Sequence, residues 1–220
     1  MPELLAFCGV AAILVITPGP DMALVARNAL VAGRGAVPVT VLGICAGIVI
    51  HALAAAIGLS ALLKASATAY AVVKVVGGAY LVYLGIQAWR ASLSEEGEGD
   101  WMLGPARRFT GSHPPGGFDG GAAFRQGFVS NVLNPKLVVF FISVLPQFTS
   151  GEGSFFTQVL VLGIAFELLT VIWLFSYGAA VARVGEAMRA PRVRHFLERL
   201  SGTVLVALGL RVAYDGAREL

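Results

Sequence analysis

The sequence predicts an all-α membrane protein whose six transmembrane helices form two inverted three-helix repeats, each with a proline-broken first helix. Three observations carry this. Of 220 residues, 57% are hydrophobic and 13% charged, whereas an average soluble domain carries about a quarter charged residues; the mean hydropathy is +0.79. Six apolar segments, 4–26, 36–62, 66–89, 122–148, 153–182 and 197–216, are each near or above the roughly 20 residues that a spanning helix needs. The two halves also echo each other in sequence.

Taken in order, the first segment has no basic residue ahead of it: Glu3 precedes the apolar run and the first positive charge is Arg27. It is therefore expected to be retained as a span rather than cleaved. The third and sixth segments are the weakest, because Lys74 and Arg211 fall inside them. Arginines concentrate between odd and even segments: Arg27 and Arg34, then Arg90, Arg107, Arg108 and Arg125, then Arg183, Arg189, Arg192, Arg194 and Arg199. The opposite side holds Lys64, with Arg218 on the C-terminal tail. By the positive-inside rule both termini face outward and the arginine-rich loops face the cytoplasm. The net charge of +3 and pI of about 9.1 thus report membrane orientation, and no nucleic-acid partner is implied.

Residues 91–121 form the expected cytoplasmic linker, since SLSEEGEGDWMLGPARRFTGSHPPGGFDGG (92–121) is rich in Gly, Pro, Ser and charge. Its acidic cluster, Glu95, Glu96, Glu98 and Asp100, and its His113 read as solvated loop residues. The linker separates residues 1–90 from 122–220, three segments each. GAYLVYLG (78–85) ends the first half and GTVLVALG (202–209) the second, and Phe7 and Phe124 precede Pro18 and Pro135 by the same interval. Three spans per half is an odd number, so the second copy enters the membrane from the opposite side, which makes the repeat inverted.

The stretch VITPGPDMALVARN (15–28) breaks an apolar run with Pro18, Gly19 and Pro20 and sets Asp21 beside the break. Proline has no N–H, so Pro18 and Pro20 free the carbonyls of Leu14 and Ile16 and push Thr17 and Gly19 toward extended geometry. In VSNVLNPK (129–136), Pro135 frees the carbonyl of Asn131 and supplies Asn131, Asn134 and Lys136 as polar neighbours. Bare backbone in lipid is costly unless protein, water or ligand satisfies it. At about 1.5 Å per residue both breaks fall near the bilayer midplane. There the positive ends of half-helices suit a carboxylate and freed carbonyls suit an ammonium, so a zwitterion satisfies both. The alternative is that each proline only kinks a helix. Two breaks at matching positions, each beside an ionisable residue, favour a substrate site built from Thr17, Pro18, Gly19, Pro20, Asn131, Asn134 and Pro135.

Asp21 and Lys136 are the expected coupling or gating pair. Buried singly, each costs roughly 2.5–3.5 kcal/mol on insertion scales, so mutual pairing or a water-filled cavity is expected. A static salt bridge between the repeats and a moving gate both fit. Glu167, near the centre of the fifth segment with Gly163 and Thr170, is either a proton carrier or a hydrogen-bonded structural glutamate. His51, on the face of Gly43 and Gly47, reads as an interhelical hydrogen-bonder. Lys74 is expected to snorkel toward the outer headgroups. Trp89, Trp173, Tyr70 and Tyr177 read as interfacial or packing residues. Cys8 and Cys45 show no C-x-x-C spacing, and no metal, cofactor or catalytic group is indicated.

The stretches TPGPDM (17–22), GRG (33–35), KVVGGAYLVYLG (74–85), FRQGFVSNVLNPK (124–136) and LPQF (145–148) resemble the lysine exporter/homoserine-threonine resistance (LysE/RhtB) family of bacterial amino-acid exporters across nearly the whole chain. The resemblance implies an inner-membrane exporter of amino acids or their analogues driven by the proton gradient. It marks Thr17, Pro18, Gly19, Pro20 and Asp21 as one half-site and Asn134, Pro135 and Lys136 as the other; Glu167 matches no family motif. The expectation is alternating-access export of a small zwitterion by proton antiport, with no enzymatic step and with lipid, protons and an amino acid as partners. Small-residue faces would permit a homodimer. Export of another solute or cation is the alternative, without a His/Cys cluster to favour soft metals. A transmembrane thiol-redox carrier would use Cys8 and Cys45, which the repeat does not relate. No H-E-x-x-H or G-x-S-x-G element supports a membrane hydrolase.

Overall fold

The computed structural model of the chain describes residues 2–93, 119–149, 154–184 and 191–220. Most of the linker, with its acidic cluster and His113, lies outside the described residues. The described residues are helical throughout, with no strand among them: α1 (Pro2–Ile16), α2 (Pro20–Val31), α3 (Ala36–Ala65), α4 (Ala67–Ala91), α5 (Gly120–Val132), α6 (Pro135–Val139), α7 (Phe155–Val184) and α8 (Pro191–Arg218). A π-helical turn, Phe140–Val144, and a 3-10 turn, Leu145–Phe148, continue α6.

Three helices are long and apolar enough to cross a bilayer, at Ala36–Leu62, Ala67–Arg90 and Phe155–Arg183. Two further pairs meet that measure when each is taken as one span: Leu4–Ile16 with Pro20–Val31, bent by 51°, and Gly120–Val132 with Pro135–Phe148, bent by 47°. The segment 197–216 lies in α8, which is not among these spans. Arg211 and Asp215 interrupt its apolar run, 3.9 Å apart with Arg211 78% exposed.

Local chemistry explains where the elements stop. Pro18 and Pro20 cannot continue the ladder of α1, and Pro20 opens α2, a position where a missing N–H does no harm. Gly33, with φ +79°, turns the chain between α2 and α3 in the left-handed region that favours glycine. Ser66 is the single residue joining α3 to α4, and its hydroxyl accepts from the Ala69 N–H at 3.1 Å as the N-cap of α4. Asp119 caps α5 in the same way, accepting from the Ala122 N–H at 3.1 Å.

Glycine seams set how the helices meet. The two echoing segments pack on each other in reverse order. A Cβ at Gly78 would stand 2.6 Å from the Gly209 carbonyl and from the Ala213 nitrogen, and one at Gly85 would stand 2.7 Å from the Gly202 carbonyl. Trp89 Nε1 donates to Thr203 Oγ1 at 3.1 Å across this seam. On α3, Gly43 receives the backbone of α5 at Phe124 and Phe128, and Gly47 receives the Asn131 side chain. A core of Phe7, Phe140, Phe141, Phe148 and Phe166 joins α1, the end of the second broken helix and α7, with adjacent ring centroids 5.0–6.0 Å apart. Outside, Ile57, Val76 and Ile172 are each more than 60% exposed, as expected of surfaces facing lipid.

Lys74 corrects an expectation. Rather than snorkelling to headgroups, it is 6% exposed, with its ammonium 2.6 Å from Glu219 Oε1 and 5.3 Å from the centre of the Tyr70 ring. A buried ammonium requires a partner, and the C-terminal end of the chain brings one to it.

A methyl group at Gly78 has no room, so Gly78→Ala is expected to destabilise the fold by about 1–3 kcal/mol through overpacking, against a helix-propensity gain of about 1 kcal/mol. Gly9, which a Cβ would leave without a contact within 4 Å, is the control. Thermal unfolding in detergent should show a lower midpoint for Gly78→Ala and no loss for Gly9→Ala.

Candidate functional site

The two breaks face each other. Thr17 closes α1, with its N–H and hydroxyl both donating to the Ile13 carbonyl at 3.1 and 2.7 Å. One residue on, Pro18 has nothing to offer Leu14, and the Leu14 carbonyl instead accepts from Lys136 Nζ at 3.3 Å. The same ammonium donates to the Thr17 carbonyl at 3.3 Å. In the second break, Asn134 caps α6 by accepting from the Lys136 N–H at 3.1 Å. The Asn131 carbonyl, freed by Pro135, takes the Asn134 N–H at 2.9 Å and lies 3.0 Å from His51 Nε2. His51 is thus an interhelical hydrogen-bonder, stacked on Phe141 at 5.9 Å.

Asp21, in the first turn of α2, points its carboxylate across to α5. Asn131 Nδ2 donates to Oδ2 at 2.9 Å and Ser130 Oγ to Oδ1 at 3.4 Å. Asn131 is fully buried, with its Oδ1 lacking a hydrogen-bond partner. Asp21 and Lys136 border one cavity of about 360 Å³, part of it open to solvent. Lys136 spends its hydrogen bonds on the two carbonyls and not on Asp21.

Of the residues expected at the site, the cavity is lined by Thr17, Gly19, Asp21, Asn131, Asn134 and Lys136. Pro18, Pro20 and Pro135 shape the breaks without lining it. Glu167 lies outside the lining, half-buried on α7 beside the Cys45 thiol; its neighbour one turn on, Thr170, lines the cavity and donates to the Phe166 carbonyl at 2.9 Å. The apolar wall of Leu14, Met22, Ile48, Phe166 and Leu174 gave no sequence signal, since apolar residues in apolar helices look alike. Cys8 and Cys45 are free thiols. Among the described residues no three His, Cys, Asp or Glu side chains are placed to hold a metal ion.

A second buried polar cluster was also missed. Asn28 Nδ2 donates to Thr40 Oγ1 at 3.0 Å and to Gln126 Oε1 at 3.2 Å, joining α2 to α3 and α5. Asn28 and Gln126 sit inside ARNAL and FRQGF, each directly after an arginine, Arg27 and Arg125, so neither stands out as an isolated polar residue in an apolar run.

Comparison with known proteins bears on the fold and the breaks together. The LysE type translocator family matches residues 12–216, from the first broken helix through α8. The chain belongs to that family. It is similar to the uncharacterised membrane protein YrhP of Bacillus subtilis, at 29% identity over 96% of this chain and 98% of the relative. It also resembles a homoserine/homoserine lactone efflux protein of Salmonella typhimurium, at 27% identity over 82% of this chain and 80% of that protein. A third relative is a threonine efflux protein of Escherichia coli, at 25% identity over 91% of this chain and 92% of that protein. No solved structure matches. Family membership and the apolar spans together make the chain a multi-pass membrane protein of a translocator family.

Asn131→Leu keeps the volume and removes the donor, leaving a carboxylate oxygen of Asp21 without its short hydrogen bond. The expected destabilisation is about 1–3 kcal/mol, read as a lower unfolding midpoint in detergent. An unchanged midpoint would mean that Asp21 finds an equivalent donor elsewhere.

Proposed function

We propose that the protein exports amino acids or closely related small zwitterions across the bacterial inner membrane. Transport proceeds by alternating access and proton antiport, within six spans arranged as two inverted repeats. The observation that carries this reading is the cavity at the meeting of two broken helices, with a carboxylate from one half and an ammonium from the other on its wall. The paired bends of 51° and 47° and the antiparallel packing of the two echoing segments support the inverted repeat, with α8 as the sixth span held against α4. The efflux of threonine and of homoserine and its lactone by the relatives supports amino-acid cargo.

In this scheme the termini face outward and the arginine-rich loops face the cytoplasm, an orientation that the distribution of charge supports. Thr17, Gly19, Asn131 and Asn134 hold the solute, whose two charges match the freed carbonyls and the half-helix N-termini. Asp21 exchanges the coupled proton, with Glu167 beside Cys45 as the second carboxylate on the route. Nothing in this cycle makes or breaks a covalent bond in the cargo. The exposed small and apolar faces allow a homodimer in the bilayer.

Cells expressing the protein and loaded with dipeptides should release one or a few amino acids into the medium. Release should stop when the proton gradient is collapsed, and Asp21→Asn should reduce it to the level of cells lacking the protein. Asp21→Asn protein that is inserted and transports at the full rate removes Asp21 from the coupling role. Wild-type protein that is inserted and releases no amino acid defeats the cargo.

A further inference from the structure

An amino group entering this cavity meets oxygens that already hold a lysine. The Leu14 carbonyl is bare because Pro18 offers it no N–H, and the Thr17 carbonyl lies between the ends of α1 and α2, outside both helical ladders. The Lys136 ammonium reaches both from the other half of the molecule, at 3.3 Å each. Gly19 leaves room for the approach: a Cβ there would stand 3.2 Å from Lys136 Nζ and would require the lysine end to give by a few tenths of an ångström. Two convergent carbonyls on a buried wall form a receptor for a primary ammonium, which has three N–H donors to give. They offer nothing of the kind to an anion.

Lys136 has a second place to go. The Asp21 carboxylate borders the same cavity and holds one good donor, Asn131 Nδ2 at 2.9 Å, and a long one, Ser130 Oγ at 3.4 Å, with the Asn134 side chain as a further, weaker partner. A carboxylate can accept about four hydrogen bonds, so Asp21 has capacity left for an ammonium. Both resting places satisfy a buried cation, and a four-carbon stem with freely rotating donors can serve either.

We propose that the Leu14 and Thr17 carbonyls form a primary-ammonium binding site of which Lys136 is the tethered occupant, displaced toward Asp21 when the amino group of a solute takes its place. The inference rests on reading the cavity as a solute site, and it adds that the protein carries its own competitor for half of that site. Binding and charge movement are then one event, because a solute amine seats itself only by driving the lysine onto the carboxylate. Any solute of this site pays a competition term set by how often the lysine is in place. An uncharged amide or an N-trimethylated analogue cannot displace it.

The test removes the tether and returns the ammonium as a free molecule, using the full chain purified in detergent and its unfolding midpoint as the readout. Lys136→Ala empties the side-chain path beyond Cβ, three carbons and the nitrogen, and should bind n-propylammonium at least about tenfold more tightly than the wild type, whose site is filled. Lys136→Met keeps the stem and empties only the ammonium position, so ammonium or methylammonium should stabilise it and n-propylammonium should not. Tetramethylammonium, which has no N–H, and sodium should stabilise neither variant. If a variant does not fold unaided, purification in its matching amine should recover it, and failure to recover either variant counts against the proposal. Folded variants that ignore the amines, or that respond equally to sodium or tetramethylammonium, overturn it. None of these readouts involves export. Amine binding by the variants together with no amino-acid release by the wild type would keep the ammonium site and lose the cargo; export without amine binding would do the reverse.

Discussion

A backbone carbonyl left without an N–H in apolar surroundings must find another donor, and the centre of this molecule is arranged around that requirement. Pro18 strips the donor from Leu14 and Pro135 strips one from Asn131. Each half then supplies what the other lacks. Lys136 of the second half serves the Leu14 carbonyl of the first, and His51 of the first half lies at the Asn131 carbonyl of the second. Asp21 follows the same rule, drawing its donors from Ser130 and Asn131. The two breaks are therefore not separate kinks but one junction: the Leu14 carbonyl takes its donor from the other half, and the Asn131 carbonyl, bonded within its own half to the Asn134 N–H, gains His51 from the other.

Such a junction requires the two halves to lie close, because its donors and acceptors meet across them at 2.9–3.4 Å. The glycine seams provide the closeness. Gly47 lets Asn131 lie directly against α3, where a Cβ would stand 2.5 Å from its Oδ1, and this placement leaves Nδ2 aimed at Asp21. Gly43, one turn earlier, brings the backbone of α5 within reach of α3, which sets His51 at the Asn131 carbonyl. Further out, Gly78 and Gly85 hold α4 on α8, and the Asn28–Gln126 contact ties the C-terminal half of α2 to the middle of α5. Small residues set the spacing and polar residues use it, the division expected where lipid supplies no hydrophobic drive between helices.

What could be read from sequence follows from which effects are local. A missing proline N–H acts on the carbonyl four residues back in any helix, so the breaks and the freed oxygens of Leu14 and Asn131 were legible, as was the bonding role of His51 from its place on the Gly43–Gly47 face. Partner choice is not local. The sequence left open whether Lys136 pairs with Asp21 or faces a shared cavity; the structure sets both on one cavity and the ammonium on two carbonyls that converge only after folding. Lys74 found Glu219, 145 residues away, which no periodicity could indicate. Glu167 and Thr170 share a side of α7, yet the small angular difference between them decides that the hydroxyl lines the cavity and the carboxylate turns to Cys45. The Asn28 cluster draws one polar residue from each of three helices, so no local pattern joins its members.

The filled state of the junction has an energetic consequence for anything that binds there. If the carbonyls and the carboxylate stood bare, each would cost about 1–3 kcal/mol or more, and the empty cavity would collapse or fill with any polar molecule. Because Lys136 and Asn131 already satisfy them, the empty site is stable, and a solute must exchange bonds rather than add them. Net affinity is then a small difference between large terms, and discrimination comes from whether the solute can reproduce every bond it displaces. A molecule lacking an amino group leaves the lysine where it is and gains little. In the proposed exchange, one that carries it releases the lysine to a carboxylate on the opposite half, so that recognition of the solute and rearrangement between the halves would draw on the same few hydrogen bonds.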